Sequence, residues 1–359
     1  MTDRFDSTAT TTTAAADGAV PDADTLHSLV GDRSVVAGGS HAITVSGLEK
    51  HYGDYHALRD IELAIPSGSL TALLGPSGSG KSTLLRAIAG LEVPDAGVVR
   101  IGDEDVTFVP PQAREIGFVF QHYAAFKHLT VRGNVGFGPS IRKQPKAEIA
   151  RRVDELLEIV GLAGYQDRYP SQLSGGQRQR MALARALAVQ PKVLLLDEPF
   201  GALDAKVRED LRQWLRQLQA ETGVTTVLVT HDQEEALDVA DHIAVLAEGR
   251  IEQWGTPREV YDQPANDFVK SFLGPTARLR GRLVRPHDLV LSHEPVGDAV
   301  PVTVERVVHL GFEVRVDLSD PEFGPLSAQT TRGEAARLDL AVGQRIYVRT
   351  GQPALTPAG

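Results

Sequence analysis

The spacing of apolar residues changes period along the chain, and each period predicts a different element. From Ala42 the segments AITVSGLEKHY and IELAIPSGSLTALLG read as strands, with Ser69–Leu74 as a short buried strand. Ser82 to Ala89 (STLLRAIA) reads as the start of a helix. GLEVPDAGVVRIGDEDV reads as hairpin-like, with turn signals at Pro94-Asp95 and Gly102-Asp103. Ile116–Phe120 is a further apolar run. Over residues 145–190 the period lengthens: Ile149, Val153, Leu156, Leu157 and Val160 sit at helical spacing with charges on the other face. Val193–Leu196 does not alternate at all, which predicts a parallel strand covered on both sides. Asp204–Ala220 is an amphipathic helix with Leu211, Trp214, Leu215 and Leu218 inward. TTVLVTH is another buried strand, HIAVLAEGRIEQWG a hairpin, and residues 257–274 are helical. After Gly274-Pro275 a two-residue alternation returns with Gly, Pro and Asp turns, which predicts a small all-β barrel or sandwich.

Length and composition bound this picture. A chain of 359 residues predicts two domains, and 42% hydrophobic with 23% charged residues is ample for a core. Residues 1–42, rich in Thr, Ala, Asp and Gly, have too little bulk to bury and read as a disordered extension. The mixed strand-and-helix pattern covers residues 43–275, with a helical subdomain expected at about 122–190, and residues 276–359 form the β domain, whose last residues should fray. A net charge of −10 argues against a nucleic-acid partner. With no cysteine, thiolate metal sites and cysteine nucleophiles are excluded. No run approaches 18 apolar residues, and the N-terminus lacks the apolar core of a secretory signal.

The chemistry concentrates at the ends of the buried strands. Gly75, Pro76, Ser77, Gly78, Ser79, Gly80, Lys81, Ser82 and Thr83 (GPSGSGKST) fit the phosphate-binding template G-x-x-x-x-G-K-[ST] between a strand and a helix. Backbone N–H groups and the helix dipole there favour an anion. Lys81 can reach the β- and γ-phosphates of a nucleotide, and Ser82 can ligate Mg²⁺. Tyr52, upstream, either stacks on adenine or is an ordinary strand-end tyrosine. Gln121 leaves an apolar strand and is either a surface residue or part of the same site. SQLSGGQRQRMALARALAV is a second glycine loop opening a helix, without a following lysine. Asp197 and Glu198 end the Val193–Leu196 strand, where α/β sheets hold ligands: Asp197 for Mg²⁺, Glu198 to polarise water. A solvated acidic turn is the competing view, and it fits poorly after four aliphatics. His231, at another strand end, is either a structural histidine or, at the same sheet edge as Lys81 and Glu198, a residue placed to touch a γ-phosphate.

Taken together, GPSGSGKST, Gln121, LSGGQ at 173–177, LLLDEP, Ala202-Leu203-Asp204 and His231 resemble the ATP-binding subunits of ABC transporters over about residues 43–275. GFVFQHYAAFKHLTVR, LLLDEPFGALDAKVRE, VTHDQEEALDVAD, YDQPANDFVKSFLG and LVRPHDLVL further resemble the ATPases of bacterial sulfate/thiosulfate importers. The resemblance implies an α/β P-loop ATPase with a RecA-like core and helical subdomain, followed by a TOBE/OB-like β domain. It implies ATP and Mg²⁺, with Lys81 as Walker A lysine and Ser82, Gln121 and Asp197 around the metal. It also implies Glu198 as catalytic glutamate, His231 as switch histidine and Tyr52 as adenine platform. Leu173, Ser174, Gly175, Gly176, Gln177 and Asp204 would contact the ATP of the opposite copy in a head-to-tail homodimer.

The implied partners are two membrane permeases, contacted around Gln121–Phe137, and, indirectly, a sulfate/thiosulfate-binding protein. The implied place is the cytoplasmic face of the cell membrane. The chain departs from the pattern in its long N-terminal extension, its short β domain, a compressed linker at 273–283, and Pro139, which falls where relatives continue a helix or bend. Two rivals share part of the evidence. ATPases for molybdate, sugar, polyamine or iron import carry the same motifs, and soluble non-transport ABC ATPases usually add coiled coils or a second cassette. An oligonucleotide-binding β domain would want exposed aromatics among basic residues, which Leu279–Thr350 lacks.

Overall fold

A computed structural model describes residues 41–201, 203–320 and 324–351. Of the extension expected at residues 1–42, residues 1–40 lie outside the described residues, as do Ala202 and the last eight, whereas His41 and Ala42 already belong to the first strand. The chain runs β1 (His41–Tyr52), β2 (Tyr55–Pro66), β3 (Leu70–Leu74), α1 (Lys81–Ala89), β4 (Ala96–Ile101), β5 (Glu104–Asp105), β6 (Ile116–Val119). Next come α2 (Val131–Val135), α3 (Phe137–Ile141), α4 (Lys146–Ile159), α5 (Gly175–Leu187), β7 (Val193–Asp197) and α6 (Ala205–Thr222). Then follow β8 (Thr225–Thr230), α7 (Gln233–Val239), β9 (His242–Ala247), β10 (Arg250–Gly255), α8 (Pro257–Asp262) and α9 (Asp267–Phe272). The rest is β11 (Ala277–Leu279), β12 (Arg282–Val284), β13 (Leu289–Ser292), β14 (Val300–Leu310), β15 (Glu313–Asp320), β16 (Gly324–Thr331), α10 (Arg332–Arg337) and β17 (Arg345–Thr350).

The chain divides into two compact units: residues 111–226, and residues 41–110 together with everything after 226. In the second of these, β1 and β2 form a long antiparallel hairpin that turns at Gly53-Asp54, and β4 and β5 extend it in the order β2-β1-β4-β5. Gly53 at φ 58 supplies the left-handed backbone this tight turn needs. β3 runs parallel to β9 with Leu74 opposite Val245, in the order β10-β9-β3-β8. All five residues of β3 are buried, as its unbroken apolar run requires.

Beyond α9, β13, β17, β14, β15 and β16 form one antiparallel sheet in that order. Val300, Val302, Val304, Val314, Val316, Leu318, Ile346 and Val348 share its buried face, following the predicted alternation. Two of its elements went unpredicted. β16 reads GPLSAQTT, and its inward residues Leu326 and Ala328 are too few and too small to signal a strand. α10 is only six residues, yet Thr331 and Glu334 form a capping box at its start, a signal of type S/T-x-x-E present in the sequence. Arg285 of LVRPHDLVL is buried; its guanidinium donates to Gly274 O at 3.2 Å and stacks 4.4 Å from the Tyr261 ring, tying the β domain to α8.

In the other unit β6 and β7 pair in parallel, with Ile116 opposite Val193 and Val119 opposite Leu196. The predicted helical stripe is α4, with Val153, Leu156, Leu157 and Ile159 buried. On α6, Leu211, Leu215 and Leu218 are buried, and half-buried Trp214 donates its indole N–H to Ile159 O at 3.1 Å. Pro139 does not break the path. It occupies the first turn of α3, where no intrahelical partner for its missing N–H exists.

Candidate nucleotide site

The anion cradle is a loop held open by its glycines. β3 ends at Leu74, the loop runs from Gly75 to Gly80, and α1 starts at Lys81. A Cβ on Gly75 would lie 2.2 Å from Leu246 O, and one on Gly80 would lie 2.6 Å from Ala57 O with φ at +99°. Neither position admits another residue without moving backbone. Gly80 is also the N-cap, and no side chain caps α1. The first-turn N–H groups and the positive end of the helix dipole are therefore directed at whatever anion enters. Pro76, Ser77 and Gly78 are exposed, whereas Ser82 and Thr83 are half-buried on α1. Lys81 is 5% exposed, and its ammonium donates to Gly75 O and Pro76 O, both at 2.7 Å, and to Ser79 Oγ at 3.4 Å. The loop thus holds the cation within the cradle.

Tyr52 stands at the end of β1 and is 45% exposed. Its hydroxyl sits above the ordinary tyrosine range through burial and a hydrogen bond to Glu92, against a smaller opposite pull from Thr83 of the phosphate loop. Lys50 Nζ lies 5.4 Å from the ring centroid. Tyr55, opposite Tyr52 in the hairpin, donates its hydroxyl to Gly78 O at 2.6 Å. In the same unit His231 is exposed just after β8. The backbone on either side of it is pinned. Asp232 caps α7 through Glu234 N and Glu235 N, and Thr230 Oγ1 bonds both Glu235 and Asp232 N.

The other unit carries the carboxylates. Because Val119 pairs with Leu196, residues two further along each strand face each other: Gln121 and Glu198. The Gln121 amide nitrogen donates to Glu198 Oε2 at 2.8 Å, which leaves its oxygen as the acceptor end. Glu198 has φ +47°, a left-handed conformation that costs a non-glycine residue roughly 1–2 kcal/mol. Asp197, one residue earlier, is 2% exposed. In this unit Gln121 and Asp197 offer an amide oxygen and a carboxylate, and oxygen donors of this kind suit Mg²⁺. Ser82, in the unit described before, offers a hydroxyl.

The second glycine loop is built differently. Ser174 is the N-cap of α5: its Oγ accepts from Gln177 N at 3.2 Å, and Gln177 Oε1 accepts from Ser174 N at 2.9 Å. Leu173 is buried, Gly175 and Gln177 are half-buried, and Ser174 is exposed at the tip. A Cβ on Gly176 would lie 2.6 Å from Val207 Cγ1, so this glycine lets α6 approach α5. Asp204 caps α6 through Val207 N at 3.1 Å.

Two residues that shape this unit went unrecognised in the sequence. Tyr123 and Ala124, just after Gln121, have φ of 60° and 39°. Arg185 of α5 donates to both of their carbonyls at 2.8 Å and lies 5.2 Å from the Phe126 ring. Burial holds its guanidinium below the ordinary arginine value. Asn134, fully buried, accepts from Phe126 N and donates to Phe126 O, Leu129 O and Thr130 O. The available signal was a lone basic residue in ALARALAV and a lone amide in VRGNVGF.

One unit carries a buried strand, an uncapped glycine loop and a lysine, the parts of a phosphate-binding loop; the other carries a Gln–Glu pair and an LSGGQ helix start. An ABC transporter family model matches residues 58–201, and a TOBE-like domain model matches residues 294–350. The sulfate/thiosulfate import ATP-binding protein CysA of Nocardia farcinica is 68% identical over 320 residues, which is 86% of this chain and 97% of that protein. Its Mycobacterium tuberculosis counterpart is 63% identical over 323 residues, covering 86% of this chain and 92% of that one. Among solved structures, a dimeric post-hydrolysis state of the ATP-binding cassette MJ0796 bound to ADP and Pi aligns at TM-score 0.55 and 36% identity. It covers 60% of this chain and 99% of that one. The cbiO1 protein of Clostridium perfringens, part of the cbiONQ transporter complex, aligns at TM-score 0.58 and 35% identity over 62% of this chain and 91% of its own. The chain belongs to the ABC ATP-binding proteins and, within them, to the sulfate/thiosulfate import (CysA) family.

Proposed function

We propose that this chain hydrolyses ATP to drive uptake of sulfate or thiosulfate across the cytoplasmic membrane. The observation that carries this reading is the 68% identity with a named sulfate/thiosulfate import ATP-binding protein along 97% of that protein's length. Residues 43–275 are the ATPase, with a helical subdomain at about 122–190, and residues 276–359 are an accessory β domain. The chain acts at the cytoplasmic face as a peripheral subunit. Among the described residues no helix is long and apolar enough to cross a membrane. Two permease subunits provide the path for the anion. The segment Gln121–Phe137 is the surface offered to them. A sulfate/thiosulfate-binding protein acts indirectly.

The residues divide the work as follows. Tyr52 takes the adenine. The loop N–H groups, with Gly75–Gly80, take the phosphates, and Lys81 exchanges its loop carbonyls for β- and γ-oxygens. Ser82, Gln121 and Asp197 would hold magnesium, whose chemistry when bound is to neutralise charge on the β- and γ-phosphates. Glu198 orients the attacking water and takes its proton as the bond from the γ-phosphorus to ADP breaks, releasing phosphate. The Gln121 bond holds the Glu198 carboxylate in one direction beforehand. His231 contacts the γ-phosphate. Ser174, Gly175, Gly176, Gln177, Leu173 and Asp204 face the nucleotide of a second, head-to-tail copy. ATP therefore favours the closed pair, and its hydrolysis favours the open one.

The test is labelled sulfate uptake in cells lacking this chain, complemented with wild type or Glu198→Gln. Uptake restored by wild type alone, and competed by thiosulfate, is the expected result. Normal uptake without the chain, where no redundant carrier exists, would move the cargo to another solute. Ser174→Arg should bind ATP as a monomer yet neither dimerise nor turn over; wild-type turnover would remove the LSGGQ loop from the site.

A further inference from the structure

The β1–β2 hairpin carries a cluster that phosphate chemistry does not use. Among the described residues, Glu49, His51 and His56 bring one ligand atom each within 4.8 Å of one another. Two come from β1 and one from β2, facing across the register pair His51–His56. The two imidazole rings stack with centroids 3.9 Å apart and planes inclined by 18°. His56 Nε2 already contacts Glu49 Oε2, while Glu49 Oε1 accepts from Asp60 N at 3.1 Å. Asp95 holds the other histidine: its Oδ2 accepts from His51 N at 2.6 Å and lies 3.5 Å from His51 Nδ1. Lys50 Nζ engages the second Asp95 oxygen at 3.6 Å and Glu92 at 2.9 Å, so this cation is already neutralised by two carboxylates.

We propose that Glu49, His51 and His56 form a binding site for a divalent transition-metal ion of the zinc type. Two imidazoles and one carboxylate are a donor set that zinc takes with water in its open positions. Imidazole ligands commonly pass their second ring nitrogen to a carboxylate, and Asp95 stands beside His51 in that outer role. Glu49 and His56 are half-buried, each side chain 29% exposed, and His51 is exposed at 48%, which gives an ion an entry path. The two histidines sit on opposite strands, next to the last pair of the hairpin, Tyr52 with Tyr55. An ion there would cross-link the end of the hairpin that holds both tyrosines, one of which reaches the phosphate loop at Gly78. The site is separate from the oxygen donors Ser82, Gln121 and Asp197, and the proposal does not depend on the cargo.

The experiment uses the full-length, metal-stripped chain without nucleotide, titrated with Zn²⁺ alone in a calorimeter, beside Glu49→Gln, His51→Gln and His56→Gln. One equivalent should bind the wild type, and each substitution should weaken binding by at least the roughly 10-fold that even outer-shell losses cause. X-ray absorption on the zinc-loaded wild type needs no variant and should show two imidazole nitrogens at about 2.0–2.1 Å. Absence of stoichiometric binding, binding that survives all three substitutions, or a shell of oxygen alone would each overturn the proposal.

Discussion

The chain opens two helices with glycine loops, and they are prepared for opposite tasks. At α1 the N-cap is Gly80 in a left-handed conformation, and no side chain caps the helix. At α5 the N-cap is Ser174, and it closes a capping box with Gln177. In the sequence both are glycine loops opening a helix, set apart by Lys81, which has no counterpart after Gly175-Gly176. The structure separates them by where the first-turn N–H groups go. The α5 start satisfies one of its own donors and Ser174 N through side chains, and it keeps Lys and Arg out of its first turn until Arg178. The α1 start has no side-chain cap at Gly80 and adds Lys81 as a cation. A helix start therefore serves as an anion cradle when it lacks a side-chain cap, and as a rigid, exposed tip when it has one. LSGGQ fits the second description, which suits a surface that meets a nucleotide held elsewhere.

That contrast can be broken at several points. The largest effect is expected outside both helix starts, at Glu198. Glu198→Gln should keep ATP binding and lower turnover by roughly 10²–10⁴; a near-normal steady-state rate would remove Glu198 from the chemistry. Next comes Gly80→Ala, which must place a Cβ 2.6 Å from Ala57 O at φ +99°. It should cost about 1–3 kcal/mol of stability and abolish measurable nucleotide binding. Gly176→Ala meets only a valine methyl at the same nominal distance and should be milder in both readouts. Equal effects in calorimetric melts and nucleotide titrations would mean that the two glycines do the same job. Tyr52→Ala should weaken ATP binding by about 1–3 kcal/mol if the exposed ring stacks on adenine; unchanged affinity in a fluorescence titration favours a merely structural tyrosine. Smallest is Ser174→Ala, where loss of the cap should destabilise the unit by about 1 kcal/mol while monomeric ATP affinity stays the same. A fall in that affinity would put the capped tip in the nucleotide site of its own chain.

Much of this site was legible because phosphate chemistry needs residues that are neighbours in sequence. A strand, Gly75 to Gly80, Lys81 and Ser82 must follow one another for a loop to wrap an anion, and the burial of β3 and the start of α1 followed from the same letters. The alternation after Gly274 likewise identified the inward valines of the β domain, because a pleated strand shows its period wherever one face is buried. β16 escaped because small residues fill its inward positions. Arg185 and Asn134 escaped because a buried polar residue looks like noise in an apolar run until its partners are known.

By itself the amino-acid sequence determined the cradle, its lysine, the order of the motifs and the change from an α/β pattern to a β pattern. These depend on spacing along the chain and on local backbone preference. Only the tertiary structure decided that Gln121 bonds Glu198, that Arg185 holds the left-handed turn at Tyr123-Ala124, and that Glu49, His51 and His56 converge. Gln121 and Glu198 are 77 residues apart, and nothing in either segment states which partner it will meet. The pairing comes from the parallel register of β6 on β7, and a slip of one residue would move every side chain on the strand to the other face.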